Sequence, residues 1–309
     1  MLTRRGFLSA TGVAAAQKAS SVIPDKDDIS LAAWSLNRSF FLAKRWKNID
    51  LPRIAREEFN INGLEFVNTF FENPTMHYLQ DLKRRGEKHG VAFVLIMVDG
   101  EGDMSAKDKQ ERTQAAIAHR KWVDIASFLG CSAIRCNMGG PRENWQQDAD
   151  LVGRAAESFY NLVEYASTAE LNILIENHGG ASSDPDVVVS LMKTVDHPRF
   201  GTLPDFGNVN PGADHAEVIR KLAPFAKGVS VKAAWTAEGT HPGWDLEKLI
   251  GICRDAGYKG FWGIESSFGR YGRPRGNEET PPPPARIWQN EVRGVQLTKA
   301  VLQKALRIA

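Results

Sequence analysis

Cysteine is scarce in this chain: Cys131, Cys136 and Cys253 are three in 309 residues, an odd number with no Cys-x-x-Cys spacing. That excludes a disulfide framework and a thiolate zinc cluster. The three read as small buried apolar residues, with at most one bridge in an oxidising compartment. No apolar run reaches the roughly 20 residues that a membrane-crossing helix needs, so stable membrane insertion is excluded. Glycine is plentiful but never falls in a Gly-x-Gly-x-x-Gly or Walker pattern, and no Gly-x-Ser-x-Gly elbow occurs, which leaves nucleotide chemistry and serine-hydrolase chemistry without support. Charge of one sign is lacking too: 39 basic residues face 37 acidic ones, a formal net charge of +2. A nearly neutral chain is a poor nucleic-acid binder.

The N-terminus has a character of its own. Thr3-Arg-Arg-Gly-Phe-Leu8 places twin arginines before a short, weakly apolar stretch that ends at Ala14-Ala-Ala16. This resembles a twin-arginine export signal with an Ala-x-Ala-like cleavage site, assigned to residues 1–24 and too short to span a bilayer. Its loss removes Arg4, Arg5 and Lys18 and no acid, taking the formal charge from +2 to −1. The mature protein, residues 25–309, is expected to be periplasmic or secreted.

From residue 29 onward, β-rich apolar runs alternate with stretches of helical periodicity, such as Ala115, Ala118, Trp122, Ile125 and Leu129. Eight runs are found: 29–35, 63–68, 92–98, 133–138, 172–177, 200–205, 228–233 and 261–266. Gly86, Gly90, Gly130 and Gly257 sit where helices should stop. Continuously apolar strands separated by helices imply a parallel sheet covered on both faces. Eight such units in this length match an α/β fold of the single (β/α)₈ TIM-barrel type better than the runner-up, an open doubly wound sheet. The tract Gly272–Ala285, with Pro281 to Pro284 in a row, reads as a stiff loop between the last strand and the last helix.

In a parallel barrel the loops that follow the strands meet at one face. Three runs end in a carboxylate: Asn172-Ile-Leu-Ile-Glu176, Phe200-Gly-Thr-Leu-Pro-Asp205 and Phe261-Trp-Gly-Ile-Glu265. Three acids at matching strand ends are predicted to hold a divalent metal. An all-oxygen set suits Mg²⁺ or Mn²⁺ better than Zn²⁺. Other polar residues crowd the same ends. Asn68, Arg135, Asn137, His178, Asn208, Ser230 and Lys232 are among them, and strand alternation points Glu176 with His178, Arg135 with Asn137, and Ser230 with Lys232. Arg135 and Lys232 are costly inside a barrel unless they face anions, which the carboxylates supply. Trp34, Trp145 and Trp235 lie at strand ends where an indole could stack on a sugar ring. Trp34 and Trp235 are kept as binding candidates beside Asn68, Arg135 and Asn137.

The segments Ile175-Glu-Asn-His-Gly-Gly180, Leu203-Pro-Asp-Phe-Gly-Asn208, Lys227-Gly-Val-Ser-Val-Lys232 and Gly263-Ile-Glu-Ser266 resemble the sugar phosphate isomerase/epimerase family, the xylose-isomerase-like barrels, in a secreted branch. The resemblance implies that Glu176, Asp205 and Glu265 hold a divalent cation. It also implies a fourth ligand, His or Gln, from the seventh strand, where this chain has Ser230, a weak ligand.

The function expected is a metal-dependent isomerase or epimerase acting on a sugar or sugar-like carbonyl through an enediolate. Glu176 and Glu265 would exchange the proton while His178 and Lys232 orient oxygens or stabilise charge. Export argues for a free sugar, oligosaccharide or glycoside over a sugar phosphate, although Arg270, Arg273 and Arg275 could meet an anion. The alternatives are a metal-dependent lyase or hydrolase on keto-glycosides and a carbohydrate-binding barrel without activity.

Overall fold

The computed structural model describes residues 27–269 and 282–308. The export segment and Arg270, Arg273 and Arg275 lie outside the described residues. The eight strands are β1 (Asp28–Ala32), β2 (Gly63–Val67), β3 (Ala92–Val98), β4 (Ala133–Cys136), β5 (Asn172–Glu176), β6 (Phe200–Leu203), β7 (Val229–Trp235) and β8 (Phe261–Phe268). All paired neighbours are parallel, in the order β6-β5-β4-β3-β2-β1-β8-β7. The two ends of that sheet meet through single bridges, Thr202 with Ala226 and Asp205 with Ser230. Main-chain hydrogen bonds from Ser230 N to Pro204 O (3.0 Å) and from Phe206 N to Ser230 O (3.1 Å) complete the seam. The barrel is therefore closed, and its seam runs through two of the residues singled out from sequence.

Helices wrap the outside because their apolar faces have only the sheet to cover. In α4 (Lys109–Leu129), Ala115, Trp122, Val123, Ala126 and Leu129 are buried. The helix starts where Asp108 accepts the Glu111 N–H and stops at Gly130 in the left-handed region (φ +85°). Gly90 ends α3 (Met76–His89) in the same way, whereas Gly86 lies inside that helix. A Cβ on Gly86 would come within 2.5 Å of the Phe93 ring, so its role is close helix–sheet packing. The last helix, α9 (Pro284–Leu306), begins on the fourth proline of the tract, because proline is tolerated at the first helical position, where no N–H partner is needed. Among the described residues no helix is long and apolar enough to cross a membrane. The three cysteines are free and buried.

Inside the barrel, one layer is built from Ser30, Glu65 and Gly263. The Glu65 carboxyl is buried and accepts the Ser30 hydroxyl at 2.6 Å. Gly263 leaves it room, since a Cβ there would meet Glu65 Oε1 at 2.4 Å. Burial raises the Glu65 carboxyl from 4.5 to about 7, against the opposing pull of the Ser30 hydrogen bond.

Candidate active site

The C-terminal mouth of the barrel opens into a cavity of about 630 Å³, lined by Asp99, Arg135, Glu176, His178, Lys232 and Glu265, among others. Carboxylate oxygens of Glu176, Asp205 and Glu265, all buried, lie within 4.8 Å of one another. Glu176 ends β5 and Glu265 sits within β8, while Asp205 follows β6 past Pro204 and is held at the seam.

Each carboxylate is gripped differently. Asp205 Oδ1 accepts the backbone N–H groups of Gly207 (2.8 Å) and Asn208 (2.7 Å), and Oδ2 accepts Ser230 Oγ (2.8 Å) and Lys232 Nζ (3.3 Å). Glu265 Oε1 lies 2.5 Å from Lys232 Nζ. Glu176 Oε1 accepts Asn208 Nδ2 at 2.9 Å. Its Oε2 stands 2.8 Å from Arg135 Nε, an ion pair without hydrogen-bond alignment, so this buried oxygen has no hydrogen-bond donor among the described residues. Burial pushes the Glu176 carboxyl upward, and Arg135 only partly offsets that.

Asp99, just past β3, completes the charge pattern by pairing with Arg135 Nη1 at 2.8 Å. Burial alone would raise Asp99, but Arg135 outweighs it and holds the carboxyl below the usual range. His178 lies on the same cavity; burial, then Arg135 and Lys232, push it down to about 4, so it is a neutral imidazole at pH 7. Lys232 is desolvated, yet Asp205 and Glu265 hold its ammonium above the ordinary range.

The cluster sets four carboxyl groups, of Asp99, Glu176, Asp205 and Glu265, against two cationic side chains, Arg135 and Lys232; metal ligation requires the acids ionised, and the group then carries two uncompensated negative charges. A divalent cation would cancel them. Buried like charges without compensation are costly, and the bare Glu176 Oε2 offers a lone pair. The all-oxygen donor set therefore fits a divalent metal.

Several residues picked from sequence lie elsewhere. Trp235 is a correction: its ring is buried beside β8 and α9, its Nε1 donates to Thr298 Oγ1 at 2.9 Å, and it does not line the cavity. The indole that does is Trp244, in the loop after β7. Its Nε1 donates to Lys232 O (3.2 Å) and its ring stacks on His215 at 4.8 Å. Asn68 and Asn137 do not reach the cavity either. Asn68 clasps the Asp99 backbone at both N and O, and Asn137 Nδ2 donates to Asp99 Oδ1 at 2.8 Å. Both support Asp99, as Asn177 supports Asp205 by bonding its backbone N and O. Trp34 lines the mouth, stacked on Phe70 at 5.8 Å. Asp99 was missed although it ends the apolar run Phe93-Val-Leu-Ile-Met-Val-Asp99, the same signal that marks the triad. Trp244 had no such signal, since His241-Pro-Gly-Trp244 is an aperiodic loop.

The model of the xylose isomerase-like TIM barrel matches residues 54–294. The chain belongs to that family. A search of curated proteins finds no match. Solved structures share the fold at low identity. An L-ribulose 3-epimerase is 15% identical, with a TM-score of 0.70 over 91% of this chain and 95% of that one. A xylose isomerase-like barrel from Mycobacterium smegmatis in complex with magnesium is 15% identical, with a TM-score of 0.61 over 89% and 97%. A probable 3-DHS dehydratase from Bacillus anthracis is 17% identical, with a TM-score of 0.59 over 77% and 92%.

Proposed function

We propose that the protein is a divalent-metal-dependent isomerase or epimerase acting on a sugar or sugar-like carbonyl, with Mn²⁺ or Mg²⁺ as the ion. The observation that carries this reading is the convergence of Glu176, Asp205 and Glu265 within 4.8 Å, with Glu176 and Glu265 on the wall of a cavity large enough for a sugar ring and more and Asp205 buried behind them. The magnesium bound by the Mycobacterium smegmatis barrel and the epimerase activity named for the ribulose enzyme support it. The metal, when bound, supplies Lewis acidity toward a carbonyl and its neighbouring hydroxyl.

The chain's own residues do the rest. Glu176 and Glu265 exchange the proton on the carbon beside the carbonyl, one removing it and the other returning it. Asn208 fixes Glu176, so that carboxylate need not reorganise during transfer. His178, neutral at pH 7, orients a substrate hydroxyl. Arg135, pinned between Asp99 and Glu176, balances the charge that develops. Trp34 and Trp244 supply apolar walls for the substrate.

The twin-arginine segment supports export to the periplasm or beyond, and with it a free sugar, oligosaccharide or glycoside as substrate. A second reading, a lyase on keto-glycosides, shares the first proton abstraction and is favoured by the dehydratase among the structural relatives. Incubation of the Mn²⁺-loaded protein with free sugars and keto-glycosides in D₂O tests both. Deuterium at the carbon beside the carbonyl of an isomerised sugar is expected; release of an aglycone instead establishes the lyase. Neither outcome, with no metal retained after dialysis, refutes both readings.

A further inference from the structure

Lys232 occupies an unusual position for a residue beside a metal site. Its ammonium sits between two of the three prospective ligands, 2.5 Å from Glu265 and 3.3 Å from Asp205. Asp205 has no acceptor capacity to spare. A carboxylate offers about four lone-pair positions, and two backbone N–H groups, the Ser230 hydroxyl and Lys232 fill them. An incoming cation must therefore remove one of these donors. The backbone N–H groups belong to the turn Gly207-Asn208 and the Ser230 hydroxyl is neutral, so none of these three is driven out by the charge of an incoming cation as a like charge can be.

Lys232 can. Its charge rides on a flexible four-carbon stem. The stem runs beside Gly207 and Trp244: a Cβ on Gly207 would come within 2.7 Å of Lys232 Cδ and 2.9 Å of the Trp244 ring, so the missing side chain leaves the stem its path. The Lys232 side chain is 19% exposed and borders the cavity, which gives the ammonium somewhere to go.

We propose that Lys232 is the resident counter-cation of the acidic triad, and that a divalent ion binds by displacing its ammonium into the cavity, so that metal loading and presentation of a cavity-facing lysine are one event. The proposal rests on the metal-dependent reading above and adds to it a competition within the protein. It makes the apo site an ion-paired state, not an open one. It also makes Lys232 a group that meets substrate oxygens only when the metal is in place, which ties substrate positioning to metal occupancy.

The test uses chelator-stripped mature protein and MnCl₂ at pH 8. Isothermal titration compares wild type with Lys232→Met, whose apolar end has similar length and no charge. In parallel, acetylation footprinting by mass spectrometry follows Lys232 in the wild type with and without Mn²⁺, with the exposed Lys109 as internal reference. The expected results are at least tenfold tighter Mn²⁺ binding by Lys232→Met and a several-fold faster acetylation of Lys232, but not of Lys109, when Mn²⁺ is added. Tighter binding without a change in acetylation would mean that Lys232 repels the ion from a fixed position, and would overturn displacement. Equal or weaker binding by the variant, with acetylation unchanged, would overturn the proposal while leaving the metal-dependent function intact. Failure of both proteins to bind Mn²⁺ would overturn the proposal and that function together. Should Lys232→Met fail to fold by circular dichroism, the wild-type footprint decides alone.

Discussion

Glu65 allows a stability prediction whose size follows from the barrel interior. Its carboxyl is buried and one oxygen accepts Ser30, while Oε2 has no hydrogen-bond partner among the described residues. Burial raises it from 4.5 to about 7. Between those values the folded chain holds a proton that the unfolded chain has released. Stability contributed at Glu65 is therefore fully present below pH 4.5, declines as pH rises, and is lost above about 7. A gap of about 2.5 pKa units at 1.36 kcal/mol each amounts to about 3 kcal/mol. Glu65→Gln removes the ionisation but places an N–H where Oε2 finds no partner, which costs about 1 kcal/mol at every pH. The variant should be about 1 kcal/mol less stable than wild type at pH 4.5 and about 2 kcal/mol more stable at pH 8. Urea unfolding of chelator-treated protein at both values measures this. In thermal melts the crossover should span about 6 °C, at roughly 2 °C per kcal/mol for a chain of this size. A difference between variant and wild type that does not change with pH would refute the claim that this carboxyl is neutral in the native barrel.

Four further outcomes are expected. Glu265→Gln keeps one ligand oxygen and removes basicity, so turnover should fall by about 10²–10⁴-fold while bound metal, measured on the same preparation, falls far less; near-normal turnover would make Glu265 a structural acid. Trp244→Ala should raise KM with little loss of stability, and Trp235→Phe should leave KM unchanged while costing about 1–3 kcal/mol through the lost hydrogen bond to Thr298, measured by urea unfolding. Replacing Arg4 and Arg5 by Lys should leave the precursor in the cytoplasm, read by cell fractionation; unchanged export would remove the twin-arginine assignment.

The local pattern of the chain already specifies the eight strands and the acids that end them. A strand buried on both faces must be apolar throughout, so Glu176 and Glu265 stand out as the only charges in their runs, and Asp205 closes the third. Gly90 and Gly130 are legible for a similar reason, since a left-handed helix end favours glycine. Local sequence cannot report what crosses the barrel. Trp235 and Trp244 stand nine residues apart in one segment, and only the packing of α9 over β7 and β8 buries the first and leaves the second to face the cavity. Gly86 looks like a helix terminator until Phe93, on the next strand, is seen to need its missing side chain. Asn68, Asn137 and Asn177 carry amides suited to sugar hydroxyls, yet each is spent on a neighbouring loop, because the closed barrel brings β2, β3 and β4, and likewise β5 and β6, within hydrogen-bond reach at their ends. The placement of Lys232 between Glu265 and Asp205 belongs to the same class. It exists because the seam between β6 and β7 brings together residues from three strands, and a contact formed by barrel closure leaves no mark on any one of them.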